Sequence, residues 1–222
     1  KYQVNIRAYY RMISGFDNTI GRVLGELKKL KLDGNTIIIF SGDNGYYEGQ
    51  RGFAGKWSHY EESLRVPLVI HDPRAVKALR GKQPKNMVLN LDIPTTILDF
   101  ARVKTPDHYQ GRSLGALMVG SDVEQWRTDT FCEHLMHNAK IPKWEGVRGP
   151  RYVYARYFEQ QPVFEYLHDL KEDPDQLENL AGDPEYAKQL AAVRKRCDEL
   201  RDSYGGKFNL QRILDHKNRN RK

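Results

Sequence analysis

The feature that most constrains this chain is a run of β-branched and aromatic residues, Thr36-Ile37-Ile38-Ile39-Phe40, that stops at Ser41-Gly42-Asp43-Asn44-Gly45. A run with no polar alternation suits a strand covered on both faces, which is the habit of parallel strands between helices. Ligands of open α/β sheets bind at the carboxyl ends of strands, so the carboxylate of Asp43 and the amide oxygen of Asn44 fall where a ligand would sit. Adjacent oxygen donors suit a hard cation such as Ca²⁺ or Mg²⁺. Taken alone, Asp-Asn-Gly is first of all a turn signal.

The flanking segments extend the α/β reading. Tyr9, Ile13, Phe16, Ile20, Val23, Leu24, Leu27 and Leu30 recur at helical spacing, and Leu32-Asp33-Gly34-Asn35 supplies a stop. Val66-Pro67-Leu68-Val69-Ile70 reads as a second buried strand, and residues 92–100 as a helix capped by Asp92 with Pro94 in its first turn. After about residue 120 the pattern changes. Strands are expected over 130–135, 152–158 and 163–170, then a helix over 183–204 with Tyr186, Leu190, Val193, Cys197 and Leu200 on one face. The expected organisation is an α/β portion over 1–128, a small α+β subdomain of antiparallel strands plus a C-terminal helix over 129–204, and a tail over 205–222.

The 222 residues carry a net charge of +7, which invites a nucleic-acid reading, but +5 of it lies in residues 205–222. A nearly balanced body with a basic end reads as a solvated tail, and no nucleic-acid partner is expected. No run approaches the roughly 18 apolar residues of a membrane helix. Lys1-Tyr2-Gln3 has neither a Met start nor a signal-peptide pattern, so the chain is read as beginning inside a longer one.

Eleven residues beyond Asn44 comes Gly55-Lys56-Trp57-Ser58-His59-Tyr60-Glu61-Glu62-Ser63-Leu64-Arg65-Val66-Pro67-Leu68. With Ser41-Gly42-Asp43-Asn44-Gly45, this segment resembles the formylglycine-dependent sulfatases of the alkaline-phosphatase-like superfamily. The resemblance runs back through Asp17-Asn18-Thr19-Ile20-Gly21 and forward through Gly111-Arg112-Ser113-Leu114, Leu167-His168-Asp169-Leu170 and Glu178-Asn179-Leu180. It implies part of a mixed sheet flanked by helices, followed by the small α+β subdomain. It also implies that Asp43 and Asn44 are ligands of a divalent metal, calcium with magnesium as the alternative, and that Lys56 contacts the sulfate. Related phosphatases tend to place a histidine after the aspartate; Asn44 here favours one hard cation and sulfatase chemistry.

Several residues go beyond the shared pattern. Where many members have a histidine, this chain reads Gly49-Gln50-Arg51-Gly52-Phe53, and Arg51 facing the pocket would favour an anionic substrate. His134, in Cys132-Glu133-His134-Leu135-Met136-His137, is a candidate substrate contact rather than a zinc ligand, since no second half with zinc spacing exists. His59 and Arg148 are further substrate-binding candidates.

The family's nucleophile is a formylglycine made from the cysteine of a Cys-x-Pro-Ser-Arg sequence, and neither Cys132 nor Cys197 lies in one. The formylglycine is therefore expected in an N-terminal half of the same protein, which becomes the chain's partner alongside a sulfated small molecule or carbohydrate. This chain alone is expected to be inactive. Periplasmic or extracellular location is implied by the resemblance only. The alternative is a non-catalytic binding module derived from the same fold.

Overall fold

In a computed structural model the described residues are 2–121, 123–136 and 141–207. The basic tail from residue 208 and the His137 end of the Cys/His stretch lie outside them. The chain forms two compact units, Lys1–Lys56 with Glu61–Trp126, and Trp57–Tyr60 with Arg127–Lys222.

The first unit opens with α1 (Tyr2–Lys29), whose apolar stripe is the one read from the sequence but none of whose residues is buried. It ends earlier than the Leu32-Asp33-Gly34-Asn35 signal. Lys31 adopts φ 58° and the Leu32 amide donates to the Leu27 carbonyl at 2.8 Å, closing the helix as a glycine would. The ring of Phe16 lies 5.8 Å from that of Phe40 on β1 (Ile38–Ser41).

A short hairpin follows, β2 (Tyr47–Glu48) paired with β3 (Ala54–Gly55), then the single turn α2 (Glu61–Leu64) and β4 (Leu68–His71). β1 pairs with β4 antiparallel, Ile38 opposite His71 and Ser41 opposite Leu68, and not in the parallel manner its unbroken apolar run suggested. Such a run reports burial on two faces and carries no information about the direction of its neighbour.

α3 (Asp92–Phe100) occupies the span read from the sequence, but Asp92 is not its cap. It is 0% exposed and its carboxylate accepts from the amides of Leu89 and Arg112, each at 2.8 Å. Thr96 extends this link by accepting from the Leu114 amide at 3.0 Å. Residues 111–114, part of the resemblance, are thus a strap on α3 that leads into α4 (Gly115–Met118).

The second unit is a four-stranded antiparallel meander, β5 (Thr130–His134), β6 (Trp144–Arg148), β7 (Tyr152–Tyr157) and β8 (Phe164–Asp169), with α5 (Ala187–Ser203) on one face. β6 lies outside the strands expected from the sequence, and Gly146 interrupts its pattern. Glycine is required there: a Cβ would lie 2.1 Å from the Tyr154 carbonyl on the paired strand.

Alternation along the strands sends Val147, Tyr154 and Leu167 toward α5, where Leu190 and Cys197 bury against them and Tyr186, Val193 and Leu200 pack around. All five positions of the expected helical face are therefore in or on the core. Glu145, Arg156 and Arg201 are on the same side. Glu145 receives Arg156 at 2.5 Å and Arg201 at 3.3 Å, while Asp198 receives both arginines.

The opposite face of the meander carries aromatic and histidine side chains, and the four residues 57–60 lie among them. His59 is 1% exposed and its Nε2 lies 3.2 Å from His168 Nε2. His168 Nδ1 is 2.6 Å from the Glu178 carbonyl, which can only accept, so that nitrogen carries a hydrogen. With both rings neutral, His168 Nε2 accepts from His59 Nε2–H, and His59 Nδ1, 3.0 Å from the Tyr157 hydroxyl, accepts from it.

Candidate active site

The candidate residues of the first unit are set out by the β2–β3 hairpin. Asp43 and Asn44 follow β1 and precede β2, while Lys56 follows β3, so antiparallel pairing returns the lysine to where the loop began. Lys56 Nζ donates to Asn44 Oδ1 at 2.5 Å. Asn44 also donates its side-chain amide to the Gly45 carbonyl at 2.7 Å, and its backbone amide donates to Asp43 Oδ1 at 2.9 Å. Gly45 is obligatory: a Cβ would meet the Glu62 carbonyl at 2.0 Å.

Asn90, which sequence reasoning passed over, donates its side-chain amide to the Asp43 carbonyl at 2.9 Å and fixes the loop from outside. No local pattern signals it, since 47 residues separate the two.

The donor chemistry of this loop fits a hard cation in kind. Asp43 is exposed, Asn44 is half-buried, and both offer oxygen only. The Asn44 oxygen already takes one positive charge, the Lys56 ammonium. Among the described residues no group of three or more His, Cys, Asp or Glu side chains is placed to hold a metal.

Arg51 adopts φ 56° and turns its guanidinium to Glu62, 3.3 Å away. The carboxylate partner, missed in the sequence, gives Arg51 a local role in holding the hairpin to α2.

The remaining candidates belong to the second unit. His59 is committed to Tyr157 and His168 in the buried face just described, the position of a structural histidine. Arg148 ends β6 and donates to the Gly149 carbonyl at 3.0 Å. His134 ends β5 and stacks on Trp57, ring centroids 5.7 Å apart and 16° from parallel. Burial, aided by the Lys143 ammonium, holds His134 below the usual histidine pKa, so it is neutral at neutral pH.

The architecture combines an α/β portion, with an acid–amide pair after β1 and a lysine after β3, and an antiparallel α+β portion. Residues 49–203 match the family described as N-sulphoglucosamine sulphohydrolase, C-terminal, and the chain belongs to it as the C-terminal part of a sulfatase of the alkaline-phosphatase-like superfamily. It is 31% identical over 208 residues to an N-acetylglucosamine-6-O-sulfatase of Bacteroides thetaiotaomicron, covering 92% of this chain and 37% of that protein. It is 34% identical over 196 residues to an arylsulfatase of Clostridium perfringens, covering 85% and 38%.

Among solved structures, one of a protein in complex with its substrate D-glucosamine-2-N,6-O-disulfate superposes with TM-score 0.80 at 30% identity, covering 86% of this chain and 39% of that one. The phosphonate monoester hydrolase of Agrobacterium radiobacter superposes with TM-score 0.78 at 27% identity, covering 88% and 40%. The chain thus spans well under half the length of these relatives.

Proposed function

We propose that this chain supplies the sulfate-binding lysine and one pair of metal ligands to a sulfuric ester hydrolase acting on a sulfated carbohydrate or aryl ester. The observation that carries this reading is the Lys56 ammonium held on Asn44 Oδ1, one residue from Asp43. Cleaving a sulfate ester loads negative charge on the sulfuryl oxygens, and a cation fixed in advance lowers the cost of that charge. Lys56 supplies the positive charge, the hairpin its position, and Asn90 the rigidity of the loop it points to.

Asp43 and Asn44 would hold a divalent cation, calcium before magnesium, which when bound polarises the sulfuryl oxygens as a Lewis acid. The attacking group, a formylglycine, is assigned to the N-terminal half of the same protein, and Cys132 and Cys197 have no part in it. The relatives' substrates support a sulfated sugar, and a periplasmic or extracellular place of action fits such a substrate.

A second reading, phosphonate or phosphate ester hydrolysis, is favoured by the likeness to the phosphonate monoester hydrolase. Assaying the full-length protein and this chain side by side with calcium, on a chromogenic aryl sulfate and the matching phosphonate monoester, separates the possibilities. The expected result is sulfate ester turnover by the full-length protein alone, abolished by Asp43→Ala. Turnover confined to the phosphonate would sustain the second reading, and no turnover of either ester would point to a non-catalytic module. Robust turnover by the chain alone would overturn the assignment of the nucleophile.

A further inference from the structure

Trp57 follows Lys56 directly, and three of its properties are unusual in one residue. Its backbone adopts φ 87°, a region that L side chains rarely enter. Its carbonyl is held by the buried Trp144 indole, which donates through Nε1 at 2.8 Å. The residue as a whole is 37% exposed, while its ring lies against His134. His134 adds a second local cost, since among the described residues its buried Nε2 has no hydrogen-bond partner. Strained backbone and unsatisfied buried polar atoms concentrate where function demands a geometry that folding would not choose. Here both fall on one stacked pair, whose product is an indole fixed in orientation, partly open to solvent and next in sequence to the proposed sulfate lysine.

We infer that Trp57, backed by His134, is a stacking platform for the pyranose ring of the sulfated substrate, making Trp57 a specificity-determining residue. The inference rests on the sulfatase reading above. A sugar presents an apolar face of C–H bonds, and a rigid indole covers that face at little entropic cost. A neutral His134 suits the role, because an imidazolium stacked on the indole would attract any anion without regard to ring shape. Trp57 keeps solvent exposure while Trp144, its anchor, is buried.

The test uses the full-length protein and two unreactive probes, N-acetylglucosamine for the ring and inorganic sulfate for the lysine, followed by saturation-transfer NMR and titration. Trp57→Ala is expected to weaken N-acetylglucosamine binding about tenfold or more and to leave sulfate binding unchanged, whereas Trp57→Phe, which keeps an aromatic face, stays within about threefold. Lys56→Ala is expected to weaken sulfate binding and spare the sugar. Trp57→Ala binding the sugar as tightly as the unmodified protein would overturn the platform, as would equal losses in the Ala and Phe variants or no sugar binding by the unmodified protein. Sulfate binding that ignores Lys56→Ala would instead count against the sulfatase reading.

Discussion

Lys56 and Asn44, twelve residues apart in sequence, meet through a 2.5 Å hydrogen bond from the ammonium to the side-chain amide oxygen. Under the proposed function, the bond places the positive charge before any substrate arrives, so the cost of ordering a long flexible side chain is met during folding rather than during the reaction.

Lys56→Ala in the full-length protein should lower kcat/KM on an aryl sulfate by about 10²–10³, or about 3–4 kcal/mol, the scale of losing one charge-stabilising donor. Steady-state kinetics checks this. A variant within a few-fold of the unmodified enzyme would remove Lys56 from the chemistry.

Glu145 is buried between Arg156 and Arg201, and its removal leaves two guanidinium groups short of a counter-charge. Glu145→Ala should destabilise the second unit by about 3–5 kcal/mol. Replacing exposed Glu199, which pairs with Lys195 at 3.8 Å, should cost no more than about 1 kcal/mol. Chemical denaturation of the two variants gives the comparison, and equal losses would show that the buried network has no special weight.

Acid should unfold the protein partly through Asp169. Its carboxylate is gripped by the Arg151 guanidinium and by backbone amides, which hold its pKa below the ordinary value of 3.8. A depressed folded pKa contributes stability that is complete above the ordinary value and is lost as pH falls through the folded one. Unfolding free energies measured over an acid series should therefore fall less steeply for Asp169→Asn than for the unmodified chain below about pH 4. Parallel slopes would contradict the Arg151–Asp169 assignment.

The Cys197 thiol, 0% exposed against Val147, Tyr154 and Leu167, is pushed up to about 12 by burial. Little thiolate exists at pH 8, and the thiolate is the form that reacts. Iodoacetamide at pH 8 should leave Cys197 unmodified in the native protein and label it once denaturant is added, as read by peptide mass spectrometry. Native labelling at the unfolded rate would mean that α5 does not seal the core.

Short windows of sequence determined a good part of this protein. The apolar face of α5, the span of α3, the antiparallel character of the C-terminal portion and the family itself follow from periodicity and motif order, which are properties of residues a few positions apart. The proposal for Asp43, Asn44 and Lys56 rests on the same kind of local pattern. Arg51 and His59 were legible as residue types but not as roles, because Glu62 and His168 claim them across 11 and 109 residues.

Only the tertiary structure decided that β1 runs antiparallel to β4, that Gly146 sits in a strand, and that residues 57–60 belong with the second unit while Lys56 belongs with the first. Strand direction, a glycine's close approach and the partner of a buried histidine depend on which distant segment arrives opposite. Loop closure and global packing choose that segment, and no local preference of the residues themselves encodes it.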